Sequence, residues 1–185
     1  MEWILLGVIV LLLLWLVVVY NRLVALRQTV GQSWADIEVQ LKQRHDLIPN
    51  LVETVKGYAA HERGTLEAVI QARNSATQAH TPEAASAAEG RLSGALSRLF
   101  ALAEAYPDLK ANTNFTALQG ELSALETKIA AARRFFNNAV AEFNAAIQSI
   151  PAVFFAGTMG FRPANFFELE AAERAAVQTP PQVKF

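Results

Sequence analysis

The residues of this chain that could do chemistry are few. The three histidines are His45, His61 and His80. Two of them fall within QRHDLIPNLVETVKGYAAHE at 43–62, among several carboxylates. A helical zinc site with a general base needs two His four residues apart on one face, as in HExxH. Here His61-Glu62 is followed by Thr65 where the second His belongs, and His45 lies 16 positions away. A di-metal carboxylate bundle needs Glu-x-x-His pairs on facing helices, and the sequence contains none. The acids Asp36, Glu38, Asp46 and Glu53 are scattered at helical spacings, which suits a solvated face. There is no phosphate-cradling Gly loop and no GxSxG elbow. With no cysteine, disulfides and thiolate metal sites are excluded. The expectation is therefore a protein that is not an enzyme, with no catalytic residue, no cofactor and no metal. Opposite charges nearly cancel, with 16 basic and 17 acidic residues mixed along the chain, so nucleic acid is not an expected partner either.

The elements around these residues are more informative. Hydrophobic residues make up 52% of the 185, and much of that excess lies in WILLGVIVLLLLWLVVVY at 3–20. Eighteen uncharged residues at about 1.5 Å each give roughly 27 Å, near the hydrocarbon thickness of a bilayer. Trp3 and Tyr20 stand at its ends, where aromatic belts form, and Arg22 follows at the interface. A cleaved signal peptide needs a basic start and a small-x-small exit; Met1-Glu2 and Val19-Tyr20-Asn21-Arg22 supply neither. Residues 1–21 are thus expected to be an uncleaved membrane anchor, with the bilayer as a partner. No basic residue precedes the span, whereas Arg22, Arg27, Lys42 and Arg44 follow it. The positive-inside rule then places the N-terminus outside and the remaining chain in the cytoplasm.

Beyond the span the pattern is helical to residue 150. Leu23, Val30, Ile37, Leu51 and Tyr58, interleaved with Trp34, Leu41, Ile48 and Val55, alternate in steps of three and four, a heptad seam. Arg27, Arg44 and Glu62 interrupt it. The two Arg side chains are expected to snorkel or pair at the bundle edge; the alternative is a buried Arg joined to a Glu of another helix. Pro49 removes a backbone donor and is expected to kink or break the helix. Thr81-Pro82-Glu83 carries the start signals of a second segment, with a seam of Ala85, Ala88, Leu92, Leu96, Leu99 and Ala103. Tyr106-Pro107-Asp108 reads as a turn. A third segment from about Asn114 to Ile150 places Phe115, Leu118, Leu122, Leu125, Ile129, Ala132, Phe136, Val140, Phe143, Ile147 and Ile150 inward. Two long helices of matching length should lie side by side, with the second segment filling in. The predicted fold class is all-α: an antiparallel bundle of long helices over 22–178, continuing from one N-terminal transmembrane helix. The core is expected at Trp34, Ile37, Leu41, Ile48, Leu51, Val55, Leu122, Ile129, Phe136 and Phe143.

After Pro151, five of the eleven phenylalanines fall within 154–167. Phe154, Phe155, Phe161, Phe166 and Phe167 either cap the bundle or form a docking surface for a partner or lipid headgroups. A short helix, ELEAAERAAV, is expected next, and residues 179–185 read as a flexible tail.

The apolar start followed by YNRLVALRQTVGQSWADIEVQLKQRHDLIPNLVETVKGYAAHE at 20–62 resembles the LemA family of bacterial membrane proteins. The likeness extends through YPDLKANTNFTALQGELSALETKIAAARRFFNNAVAEFNAAIQSIP at 106–151 and the GF…NFFE ending at 160–168. The resemblance implies a long-helix bundle on one N-terminal span in the bacterial inner membrane, with an exposed N-terminus and a cytoplasmic body. It implies cell-envelope functions, one relative serving magnetosome membrane formation and some members being encoded near membrane metalloproteases, and it supplies no catalytic residue. Three functions stand as alternatives: a membrane-anchored scaffold or adaptor acting through helix–helix contacts, a membrane-shaping protein forming large homo-oligomers, and an accessory subunit of a membrane protease. A homo-oligomer or another membrane protein is the expected partner.

Overall fold

The computed structural model describes residues 1–167. Its elements are α1 (Glu2–Lys56), α2 (Arg63–Thr77), α3 (Pro82–Ala103), α4 (Pro107–Lys110), α5 (Thr113–Gln148) and a 3-10 turn at Ala152–Phe154. No strand occurs among the described residues, and the fold is all-α. The helix expected at ELEAAERAAV and the tail at 179–185 lie outside the described residues.

The described residues form two compact units: residues 1–36 with 134–165, and residues 37–133 with 166 and 167. The first contains α1 up to Asp36, the C-terminal part of α5 and the loop after it. These two helices run antiparallel, as the pairing of Trp34 with Phe136 (ring centroids 5.6 Å apart) and of Leu23 with Ile147 shows. Leu23, Phe143, Ile147, Ala152, Ala156 and Phe161 are buried together as its core. Met1 to Val18, by contrast, has almost every large apolar side chain exposed. The second unit buries Ile48, Leu51 and Val55 of α1 against Leu66 and Val69 of α2, Leu92, Leu96 and Leu99 of α3, and Phe115 and Leu122 of α5.

The ends of the helices follow local chemistry. Thr81 caps α3 by accepting from the Ala84 N–H at 3.3 Å, with Pro82 in the first turn, where a missing N–H costs nothing. Asn112 caps α5 by accepting from the Phe115 N–H at 3.0 Å, so the helix begins just before the expected Asn114. The expected turn at Tyr106-Pro107-Asp108 instead opens the single turn α4, which buries Leu109.

Two seam positions point outward rather than in. α1 ends at Lys56, so Tyr58 lies beyond the helix and is exposed, while Ala59 takes the buried place. α5 ends at Gln148, which likewise releases Ile150 from the seam into an exposed position. Helical periodicity holds only while the backbone is helical, and both helices stop two residues short of the expected limit. Residues 63–77 form a separate helix, distinct from the long first one.

Pro49 lies inside α1, which runs on to Lys56 rather than breaking there. A proline has no N–H, so the carbonyl four residues earlier, that of His45, loses its helical donor. Arg73 of α2 supplies a replacement: its Nε–H donates to the His45 oxygen at 3.3 Å.

Candidate functional site

Two places in the chain concentrate features that a plain helical bundle does not need. The first, in the second unit, is a buried ionic cluster. Arg44 comes from the α1 seam and Glu89 from the apolar face of α3, four residues after Ala85 and three before Leu92. Both side chains are nearly inaccessible, at 2% and 7% relative exposure. Arg44 Nη1 donates to Glu89 Oε2 at 3.2 Å, and Nη2 donates to Ser93 Oγ at 2.8 Å. Nη2 also lies 2.8 Å from Glu126 Oε1 on α5, whose side chain is half-exposed. His45 Nε2 approaches the second Glu89 oxygen at 2.6 Å. One carboxylate thus joins two neighbouring residues of α1, and one guanidinium joins three helices. The expectation of a snorkelling Arg44 gives way to its alternative, a buried Arg paired across helices. Arg27, the other seam arginine, is exposed, with its guanidinium 5.0 Å from the centre of the Phe161 ring.

Charges this deeply buried need partners, because desolvation costs several kcal/mol per ion. The cluster adjoins a cavity of about 50 Å³. That volume is far below the roughly 300–1,000 Å³ of a typical small-molecule site. Among the described residues no three His, Asp or Glu side chains converge so as to hold a metal ion. The arrangement can hold three helices in register. Sequence reasoning did not single out Glu89. Its signal was an acid on the face shared by Ala85 and Leu92, matched by a base on the facing seam.

The second place is the apolar end of the first unit. The 18-residue window within α1 has a mean hydropathy of 3.0 and none of it is buried, so the helix is long and apolar enough to cross a membrane. Trp3, Tyr20 and Arg22 are exposed at its ends. Tyr20 meets Phe161 edge to face at 5.6 Å, and Phe143 does so at 6.4 Å. Phe161 is held there by the end of the loop. Its N–H donates to the Ala156 carbonyl at 2.9 Å and the Gly160 N–H to the Gly157 carbonyl, the paired bonds of a Schellman ending. That ending needs a left-handed residue, supplied by Gly160 at φ 78°. Asn144 of α5 clamps the following strand of chain, its Nδ2 donating to the Ala164 carbonyl and its Oδ1 accepting from the Ala164 N–H.

The five phenylalanines offered as one surface are divided by the structure. Phe161 and Phe167 are buried, Phe155 is half-buried, and Phe154 and Phe166 are exposed. Phe167 carries the Arg133 guanidinium over its ring at 4.5 Å. Of the expected core, Ile37, Leu41, Ile48, Leu51, Val55, Leu122, Ile129, Phe136 and Phe143 are buried, and Trp34 is half-buried against Phe136. His61 and His80 are exposed and far apart in sequence.

An all-α fold whose leading helix can cross a bilayer, with a buried ionic clasp between its helices, describes a membrane-anchorable helical bundle. The chain belongs to the LemA family, whose model matches residues 33–185. It is similar to Magnetosome protein MamQ of Magnetospirillum gryphiswaldense, at 24% identity over 87% of this chain and 69% of the relative. Magnetosome protein MamQ 1 and MamQ 2 of Paramagnetospirillum magneticum match with the same identity and coverage.

Proposed function

We propose that the chain is a non-enzymatic scaffold or adaptor of the bacterial inner membrane. In this reading α1 spans the bilayer with its N-terminus outside, and the bundle works in the cytoplasm through helix–helix contacts with further copies or with membrane proteins. The observation that carries the reading is the continuity of α1. One 55-residue helix begins as a fully exposed apolar span and ends as a core strut with Ile48, Leu51 and Val55 buried. The same helix thus belongs both to the span and to the bundle, as an adaptor tethered to the membrane requires. The buried clasp at Arg44 and Glu89 supports the same reading, since it fixes helix register without offering a substrate cavity.

The exposed aromatic and aliphatic residues beside the span favour a second reading, in which copies assemble on the bilayer and shape it. A third, an accessory subunit of a membrane protease, rests on the family resemblance alone. Purification from native membranes in mild detergent, with mass spectrometry and size analysis of the same sample, separates the three. A reproducible heterologous membrane partner supports the adaptor, a protease among such partners supports the accessory subunit, and a large particle of this chain alone supports the membrane shaper. A monodisperse monomer without partners overturns all three. Protease digestion of intact spheroplasts tests orientation, which requires residues beyond Arg22 to be protected.

A further inference from the structure

Among the described residues, the loop that follows α5 carries the most exposed apolar side chains outside the span itself. Ile150 is 79% exposed and Phe154 77%, with Val153 about half-exposed between them. In water such a cluster has no justification from the fold, since none of these side chains contributes to the buried core. Its location supplies one. Pro151, Phe154 and Phe155 line an apolar groove together with Leu12, Leu13 and Leu16 of α1. These leucines lie in the middle of the apolar stretch, and Leu12 is eight residues from Tyr20, about 12 Å along the helix.

We infer that residues 150–155 insert into the hydrocarbon layer beside α1, forming a second, non-spanning membrane contact whose ligand is lipid acyl chains. The inference rests on α1 as a membrane span. Placing the bilayer edge at Leu12, so as to keep the loop in water, leaves only residues 3–11 to cross. That is about 14 Å, against the roughly 30 Å required.

Three independent features fit this depth. From Phe143 to Phe161 the chain has no charged residue. Many of its backbone donors are paired internally, as an apolar environment favours. The N–H groups of Val153, Phe154, Phe155, Ala156, Met159, Gly160 and Phe161 each donate to a carbonyl within the loop or the end of α5. Ser149 Oγ donates to the Ala145 carbonyl and Thr158 Oγ1 to that of Phe155, both at 2.7 Å, so neither hydroxyl is left unpaired. The first charges on either side of the insertion, Glu142 on α5 and Arg162 after the loop, are exposed, as are Arg22 and Arg27 on α1, which suits residues outside the hydrocarbon layer.

Depth-dependent fluorescence quenching tests the inference on the full chain in phosphatidylcholine–phosphatidylglycerol vesicles whose acyl chains are brominated near their middle. Three single-tryptophan proteins are compared, the other tryptophans being replaced by Phe. One retains Trp15, one retains Trp34, and one carries Phe154→Trp. The expected result is strong quenching of Trp15 and of the Phe154→Trp indole, within twofold of each other, and little quenching of Trp34. Quenching of Trp15 with the Phe154→Trp indole as unquenched as Trp34 overturns the insertion but leaves the span standing; a second copy of the chain covering the loop gives this result. No quenching at any position overturns the span and the insertion together. Because the chain has no cysteine, Val153→Cys labelled with an environment-sensitive dye gives a second readout. Its emission should shift blue on vesicle binding, and Ile150→Asp with Phe154→Asp should abolish the shift while the chain still floats with the vesicles. A blue shift that survives both Asp substitutions overturns the assignment of these side chains.

Discussion

Arg44→Met is the most direct test of the buried clasp. The substitution keeps an unbranched apolar stem of similar reach and deletes the guanidinium. Glu89 then keeps His45 at 2.6 Å but loses the Arg44 contact at 3.2 Å, and its carboxylate stays buried. Breaking a buried pair by removing one partner costs about 3–5 kcal/mol, because the remaining charge is desolvated without compensation. The surviving His45 contact places the expected loss near the lower end, about 3 kcal/mol. For a chain of this length each kcal/mol moves Tm by about 2–4 °C, so the midpoint should fall by roughly 6–12 °C. Thermal unfolding of the full chain in detergent, followed by circular dichroism at the helix band, measures it. The triple variant Arg44→Met, His45→Leu and Glu89→Leu removes the whole cluster, and should recover to within a few degrees of the parent, since an apolar replacement of a buried ion set is often neutral. A single variant that loses less than about 1 kcal/mol refutes the burial argument. A triple variant that unfolds as early as the single one refutes the claim that the stranded charge is the cause.

Pro49 and Arg73 should be coupled: Arg73→Ala is expected to cost about 1–2 kcal/mol by orphaning the His45 carbonyl, and much less in a Pro49→Ala background, where the helix supplies its own donor. A double-mutant cycle by urea titration with no coupling energy removes that explanation. Phe136→Asp places an unpaired charge where a buried ring meets Trp34, and should cost several kcal/mol; an unchanged thermal midpoint would contradict the pairing of α1 with α5. The Tyr106 hydroxyl is held above its usual range by partial burial and then by the Glu62 carboxylate that accepts its proton at 3.3 Å. The unfolded tyrosine ionises first, near pH 10.0, so its contribution is intact below that pH and is lost as pH rises further. Tyr106→Phe should flatten that part of the alkaline stability profile, and an identical profile would deny the link.

Much of the fold was legible because the burial pattern is periodic. Ile37, Leu41, Ile48, Leu51 and Val55 repeat at three, four and seven, and Leu122, Ile129, Phe136 and Phe143 at seven, and such spacing admits one helical face. The start of α3 was legible because Thr81-Pro82 is chemically specific. Helix ends were less so. Nothing in the apolar spacing marks Lys56 or Gln148 as a last turn, because Tyr58 and Ile150 keep the period after the backbone has left it. The division of the first segment into α1 and α2 was missed for the same reason. The polar site was partly legible: Arg44 on the seam raised the question of a partner, but Glu89 is one acid among many until α3 is folded against α1. Arg73 could not be found from sequence at all, since its partner is a carbonyl exposed by a missing proton on Pro49.

The two sites solve opposite forms of one solvation problem. At Arg44 the chain brings charge into an apolar interior and surrounds it with Glu89, Glu126, Ser93 and the neighbouring His45–Glu89 contact, so that the charge is matched locally even though the Nε–H has no acceptor among the described residues. At residues 150–155 it leaves apolar side chains outside the core and pairs the N–H groups of Val153, Phe154 and Phe155 internally. A sequence selected only for a water-soluble bundle favours charges at positions such as Ile150, Val153 and Phe154, as at Glu121 and Lys128 on the exposed face of α5. Their apolar character therefore fits a surface selected for a bilayer.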